Sequence, residues 1–397
     1  MKLLEYKQFN NSDEEKTLNK KKVAIASVTS FVIILLIVLC MLYVKNVGFR
    51  NFMDKYILFK HVDETDMPYI SLEQDENVYT CAFYNYVVVL KNNQLTMYNS
   101  SGKEVESFKV NINSPVFSVK DNYLVVGEKN QQKCYLFKDK KMVWEKDIEG
   151  QISRLSVNQN GYVTTIVSGT SYKSVITTYS EDGSEIFKTY LSNTFAIDSS
   201  VSKDNKFMSF CEVDMSGALI EFKVKTISID KAKQDPANAI VYTYQIPSNI
   251  IVTDIEYHNK DELICLCDKS VYSLKNGSLA LLNQFNDGNI SFAGANLDKS
   301  YFKVSEKTFG INNQQSSVDI FNTSNGNVSN YMINGIAKDV DSKNGVIAVN
   351  LGNEVYFIGE NGWLIKKYTS SQEIKGVVVS NNVAGIIYRN KITFISL

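Results

Sequence analysis

The sequence predicts an all-β chain, an eight-bladed β-propeller preceded by one N-terminal transmembrane helix. Three observations carry the prediction. The 22-residue run Val23–Val44 contains no charged residue. From about Pro68 onward, short runs rich in Val, Ile, Tyr, Phe and Thr alternate with clusters of Asn, Asp, Gly, Ser and Lys, the pattern of strands and turns. Two phrases recur within that pattern, and repetition of four-stranded units at this period is the signature of propeller blades.

Residues 1–22 are polar and mixed in charge and are expected to form a disordered cytoplasmic tail. Residues 23–44 span about 33 Å as a helix, close to the roughly 30 Å hydrocarbon core of a bilayer. The hydroxyls of Ser27, Thr29 and Ser30 can bond carbonyls of their own helix, so they do not oppose insertion. Lys20, Lys21 and Lys22 abut the N-terminal end, whereas Lys45, Arg50 and Lys55 are diluted beyond the other. That asymmetry places the N-terminus inside and the bulk of the chain outside the cytoplasm. The run is longer than a cleavable h-region and no small-x-small site follows it, so it reads as an uncleaved signal-anchor in the cell membrane. Residues 45–66 read as a juxtamembrane stalk, with Phe49, Phe52, Tyr56 and Phe59 at the spacing of a short amphipathic helix.

Residues 67–397 form the propeller domain. The first phrase is apolar strand, polar turn, apolar strand. It begins at Phe83, Val119, Val157, Val201, Tyr257, Leu297, Val340 and Val378. The second brings an aromatic-ended strand to a tight turn, as in TMYNSSGKEVESF at 96–108, TTYSEDGSEIFKTYL at 177–191 and VYSLKNGSLALL at 271–282. Asn-Gly and Asp-Gly pairs at these turns suit type I′ hairpins, whose central residues both need positive φ. The last unit supplies only three strands, Gly376–Val379, Ala384–Tyr388 and Lys391–Leu397. Residues 68–74, PYISLEQ, are strand-like and are expected to complete that blade and close the ring. Seven blades is the alternative, because the fourth unit, 193–248, is irregular around DKAKQDPANA at 230–239.

The second phrase resembles the repeat of PQQ-like propellers, through Lys141-Met-Val-Trp144, Gly183-Ser-Glu-Ile-Phe187 and Gly362-Trp363. The blades also resemble WD40 repeats, although no Trp-Asp pair closes a strand. With its anchor, the chain looks like an uncharacterised family of membrane-anchored propellers of Clostridium-type bacteria. Quinoproteins of the PQQ-like group dock Trp between most blades, and this chain has two Trp in all, so the resemblance does not extend to quinone binding.

Composition narrows the function. Residues 23–397 carry 36 Lys and Arg against 39 Asp and Glu, a balance that gives no electrostatic case for nucleic acid. Five cysteines beyond the anchor are too few and too scattered for a disulfide framework. Cys265 and Cys267 share one strand face about 6.6 Å apart and read as two free, buried thiols. The Lys-, Asn-, Ile-, Ser- and Tyr-heavy usage matches a low-GC Gram-positive bacterium. The two histidines, His61 and His258, have no metal-pair spacing, and no nucleophile–base arrangement is legible. Glu181-Asp182-Gly183 and Asn286-Asp287-Gly288 read as turn chemistry rather than ion ligands. No catalytic, cofactor-binding or metal-ligating residue is therefore singled out, and no cofactor is expected. The expected function is a binding or scaffold module for an envelope protein or wall polymer. The alternative is a propeller-type polysaccharide hydrolase or lyase, which needs carboxylates converging at the channel mouth.

Overall fold

The computed structural model describes residues 20–73, 77–169, 171–285, 290–308 and 314–397. Two units divide at Phe59/Lys60. The first is helical. Helix α1, Lys20–Lys45, includes an apolar stretch, Ala24–Lys45, long enough to cross a membrane. Thr29 donates its hydroxyl to the Ile25 carbonyl at 2.8 Å, satisfying that polar group within the helix. Helix α2, Val47–Tyr56, starts where the Asn46 side chain accepts the Phe49 N–H at 3.0 Å, an N-cap. Tyr43 donates its hydroxyl to Asp54 Oδ1 at 2.6 Å, tying α1 to α2.

The segment 45–66 read as one stalk is divided. Helix α2 ends at Tyr56, and Phe59 lies beyond it at φ 49°, off the helical face that its spacing implied. His61–Asp63 belongs to the second unit, where it pairs in parallel with Leu364–Thr369. Aromatic spacing carries no information about where a helix stops, whereas an unpaired strand edge recruits any extended segment beside it.

The second unit is a ring of eight sheets, antiparallel except where His61–Asp63 joins one of them in parallel. Blades 1 to 8 begin with the strands Tyr79–Phe83, Pro115–Lys120, Gln151–Val157, Phe195–Val201, Val252–Tyr257, Ile290–Gly294, Asp339–Lys343 and Gly376–Val379. Each of these is the innermost strand, and in blades 1 to 7 the next three follow outward in chain order. The fourth unit is a regular blade, so the seven-blade alternative is corrected to eight. Its irregularity is an insertion between its third and fourth strands, the short helix Ile229–Ala232 and the 3₁₀ turn Pro236–Asn238.

The turns separate into two chemistries. Asn276-Gly277 and Asn344-Gly345 have positive φ at both residues, as type I′ requires, and Asn92-Asn93 does so without glycine. The Asp182-Gly183 and Asn361-Gly362 turns differ from the type I′ expectation, and the Ser101-Gly102 turn is built as they are. There one glycine takes positive φ, and its N–H returns to the carbonyl three residues earlier, a type I turn with a bulge. In the Asp182-Gly183 turn, Asp182 Oδ1 accepts the Ser184 N–H at 2.9 Å, and a Cβ on Gly183 would meet Trp144 at 2.9 Å. Asn286-Asp287-Gly288 lies outside the described residues.

Apolar side chains fill the spaces between neighbouring blades. Phe83, Leu90 and Met97 of blade 1 pack with Leu124 and Phe137 of blade 2, all fully buried. The seam between blades 8 and 1 is built the same way, with Phe394 and Ile392 against Val87 and Val89. Blade 8 takes its outermost strand from the other end of the chain: Tyr69–Ser71 runs antiparallel to Lys391–Thr393. Residue 74 lies outside the described residues. Glu64 fastens this crossing. Its carboxylate accepts from Lys391 Nζ at 2.5 Å, the Ser370 hydroxyl at 2.7 Å and the Ser371 N–H at 3.2 Å. Burial alone would raise the Glu64 pKa, but these donors outweigh it and hold the carboxyl below its ordinary value.

Deleting residues 68–74 removes that pairing and the packing of Ile70 and Leu72 on the seam core, and is expected to cost on the order of 3–5 kcal/mol. A thermal melt of the deletion variant coincident with the wild type would exclude the closure. Glu64→Gln is expected to cost about 1–3 kcal/mol at neutral pH. Because the folded pKa is depressed, that stabilisation is present above the ordinary value of 4.5 and is lost as the pH falls through the folded one. The difference between variant and wild type should therefore shrink in denaturant titrations run at successively lower pH.

Candidate functional site

The inner strand of each blade has no sheet partner on its channel side, so its N–H groups need other acceptors. At three blade junctions a short side chain on one inner strand accepts from the next. Asp198 Oδ2 takes the Ile255 N–H at 3.0 Å and the Ser200 hydroxyl oxygen takes that of Tyr257 at 3.2 Å. Asp339 and Asp341 take Val377 and Val379 at 3.0 and 2.7 Å, and Ser118 takes Val157 at 3.2 Å. Pairs of such residues stand two apart because alternate side chains share a strand face.

Between these strands lies a cavity of about 250 Å³. Its charged lining is Lys120, Arg154, Asp198, Asp254, Glu256 and Lys343, supplied by blades 2, 3, 4, 5 and 7. Lys120 Nζ reaches Glu256 Oε1 at 2.5 Å, joining blades 2 and 5 across the channel. Arg154 Nε donates to Asp198 Oδ1 at 3.0 Å, and its Nη2 stands 3.8 Å from Asp254 Oδ1. Burial alone would lower the Lys120 pKa, but Glu256 raises it, so the ammonium stays charged. Asp254 is held well above the ordinary carboxylate value, first by desolvation and then by Asp198 beside it. Its side chain is 30 % exposed, in the cavity between the inner strands. Desolvation likewise raises Asp341.

The carboxylates that a hydrolase needs do converge, but they are engaged. Asp198 holds Arg154 and a backbone N–H, Glu256 holds Lys120, and Asp254, raised by desolvation, stands beside Asp198 and 3.8 Å from Arg154. Among the described residues no group of His, Cys, Asp and Glu is arranged to hold a metal. His258 is buried with Nε2 2.7 Å from the Ala295 carbonyl oxygen and Nδ1 3.3 Å from the Thr323 hydroxyl, which bridges blades 5 and 6. Burial lowers its pKa, so the ring is neutral. His61 stands on the added strand of blade 7. Cys265 and Cys267 are free and buried with sulfurs 3.8 Å apart, and their mutual hydrogen bond followed by burial holds Cys265 well above the ordinary thiol value. Trp144 docks between blades 2 and 3, its indole N–H on the Glu181 carbonyl at 3.2 Å, while Trp363 is 49 % exposed.

None of the channel residues stood out in the sequence. One signal was available: Arg154 is one of three arginines in a chain with 42 Lys and Arg together, on a strand that alternates toward the channel. Its partners come from other blades and have no local mark.

Replacing Asp254 by Asn mimics the carboxyl's neutral form. The folded pKa is raised, so the stability it confers is complete below 3.8 and is lost as the pH rises through the folded value. Asp254→Asn should therefore melt at or above the wild-type temperature at pH 7, with the difference vanishing in acid. A variant less stable than wild type at pH 7 would mean that the carboxylate is ionised and paired.

Comparison with known proteins places this architecture. The C-terminal WD40 domain of Sif2 superposes with a TM-score of 0.55 at 12 % identity, covering 83 % of this chain and 99 % of that one. A structure of the eukaryotic initiation factor gives 0.50 at 12 % identity, covering 83 % and 87 %. BamB from Moraxella catarrhalis gives 0.47 at 11 % identity, covering 84 % and 97 %. At such identities the likeness shows the fold alone. No curated protein matches the chain. The profile of one family, described as a family of unknown function, matches residues 60–397, the whole propeller unit. The chain belongs to that family, DUF5711.

Proposed function

We propose that this chain is a single-pass membrane protein whose propeller lies outside the cytoplasm and binds an envelope protein. The observation that carries the reading is an apolar patch on blades 4 and 5. Met215, Leu219, Ile220 and Ile251 are each more than half exposed. Three stand on the loop between the second and third strands of blade 4, and Ile251 on the connection from blade 4 to blade 5. A depression of about 820 Å³ opens between them, floored by Ile197, Val213 and Phe222. Large apolar side chains gathered on ordered loops contribute little to the ring and mark an interaction surface. Covering each would stabilise a complex by about 1.5–3 kcal/mol.

The patch is pre-organised, which lowers the entropy lost on docking. Asp214 Oδ1 accepts the Ser216 N–H and hydroxyl at 2.9 and 2.7 Å, and Asp268 Oδ1 accepts the Ile251 N–H at 3.0 Å. These carboxylates also form a polar rim around an apolar centre, as in transient protein interfaces. Support for the anchor is the apolar α1 stretch, and support for its orientation is Lys20–Lys22 at one end. The hydrolase reading has the channel carboxylates in its favour, but Asp198 and Glu256 are tied to Arg154 and Lys120, so binding is the better-supported reading.

A photo-crosslinking side chain at Leu219, in full-length protein in intact membranes, should give one discrete adduct. Ile251→Asp should abolish it without shifting the thermal melt. The same probe at Lys260, at the opposite end of the blade 5 inner strand, should give none. Equal adducts at both positions, or none at Leu219, would remove the proposal.

A further inference from the structure

We infer that a second groove, between blades 2 and 3, is a binding site for a neutral oligosaccharide. The groove encloses about 540 Å³, within the range of small-ligand sites. One wall is Tyr172 and Tyr190, with ring centroids 4.8 Å apart and planes tilted by 44°. They are 39 % and 53 % exposed, so these rings are not packing between blades. Gln132, Gln151, Glu149 and Lys188 also line the groove, with Lys188 Nζ 3.2 Å from Glu149 Oε2.

The chemistry selects the ligand. Pyranose rings present a C–H face that lies against an aromatic ring and an equator of hydroxyls that needs both donors and acceptors. Two adjacent tyrosine rings offer two stacking faces. The two glutamine amides each carry both donor and acceptor, and the Glu149 carboxylate accepts. A protein partner would need an apolar anchor pocket, and the aliphatic lining here is confined to Val167 and Val175. Charge then separates neutral sugars from anionic ones. Among the described lining residues Lys188 is the single cation, and it is already held by Glu149 at 3.2 Å and Glu185 at 3.0 Å. A phosphate or uronate would have to displace those carboxylates and lie beside them, so the groove disfavours an anionic polymer.

The groove is formed by the loops between second and third strands and by the blade 2 to blade 3 connection. These are the same classes of connection that carry the apolar patch, so groove and patch open on the same face of the ring. The sites share no residue, and this inference goes beyond the protein-docking proposal and does not depend on it.

The test is calorimetry on the full-length protein in detergent with three probes: tetra-N-acetylchitotetraose, cellotetraose and tetragalacturonate. At least one neutral tetrasaccharide should bind saturably and more tightly than tetragalacturonate. Tyr172→Ala and Tyr190→Ala should each weaken it roughly tenfold, whereas Tyr190→Phe, which keeps the stacking face, should stay within about threefold. Because both rings lie at the surface and not in a core between blades, melts of the variants should stay close to the wild type. If an alanine variant fails to fold, Tyr190→Thr, which keeps strand propensity, is read in its place. Absence of binding by both neutral probes, tighter binding of tetragalacturonate, or unchanged affinity in both alanine variants would overturn the inference.

Discussion

A ring of twisted sheets covers both faces of every blade only if it closes, and here closure depends on one short strand pairing. Tyr69–Ser71 lies against Lys391–Thr393, so residues more than 300 positions apart complete one blade. Without it, blade 8 would present a free outer edge and the Phe394 seam would lose its cover. The neighbouring His61–Asp63 adds a second tie on blade 7, and Glu64 bonds the two blades together through Ser370 and Lys391. The segment that follows the helical unit is therefore itself part of the seam.

The same edge problem recurs inside the ring, at smaller scale. Inner strands cannot pair across a channel, so Asp198, Ser200, Asp339, Asp341 and Ser118 supply acceptors from blade to blade. Asp198 brings charge into a confined space, which Arg154 compensates, and Lys120 compensates Glu256 beside it. The channel thus has a structural explanation for its charges. That shifts attention to the face where loops rather than strands are displayed, and where the apolar patch and the tyrosine groove lie. Loops on a rigid ring can vary without disturbing its packing, which is the usual division of labour in such folds.

Much of the fold was legible in the sequence, for reasons visible in particular elements. Val346–Asn350 and Tyr123–Glu128 are continuous apolar runs because second strands are buried on both faces. Asn276-Gly277 and Asn344-Gly345 mark hairpins because few residues tolerate two successive positive φ values. The details that escaped were those set by neighbours. Gly183 ended as a bulged turn packed on Trp144 rather than a type I′ turn, because Tyr179 pairs with Glu185 and the loop between them is longer than the two residues of a type I′ hairpin. Phe59 left the helix, and His61–Asp63 joined a sheet, because a strand edge was waiting for it.

The sequence by itself determined the apolar helix, the repeating blades, eight or seven of them, and the strand-like segment that seals them, because each is a local periodicity or a local deficit. A charge-free run, an alternation of period two and a unit short of one strand can be read without knowing any partner. Only the tertiary structure decided which side chains meet. Lys120 and Glu256 are 136 residues apart and come together because the ring's curvature carries blade 2 opposite blade 5. Tyr172 pairs with Tyr190 because the loop before the third strand of blade 3 lies over its fourth strand, and Leu219 joins Ile251 because two loops emerge on one face. Such sites are properties of ring geometry, and the residues that form them carry no mark of it along the chain.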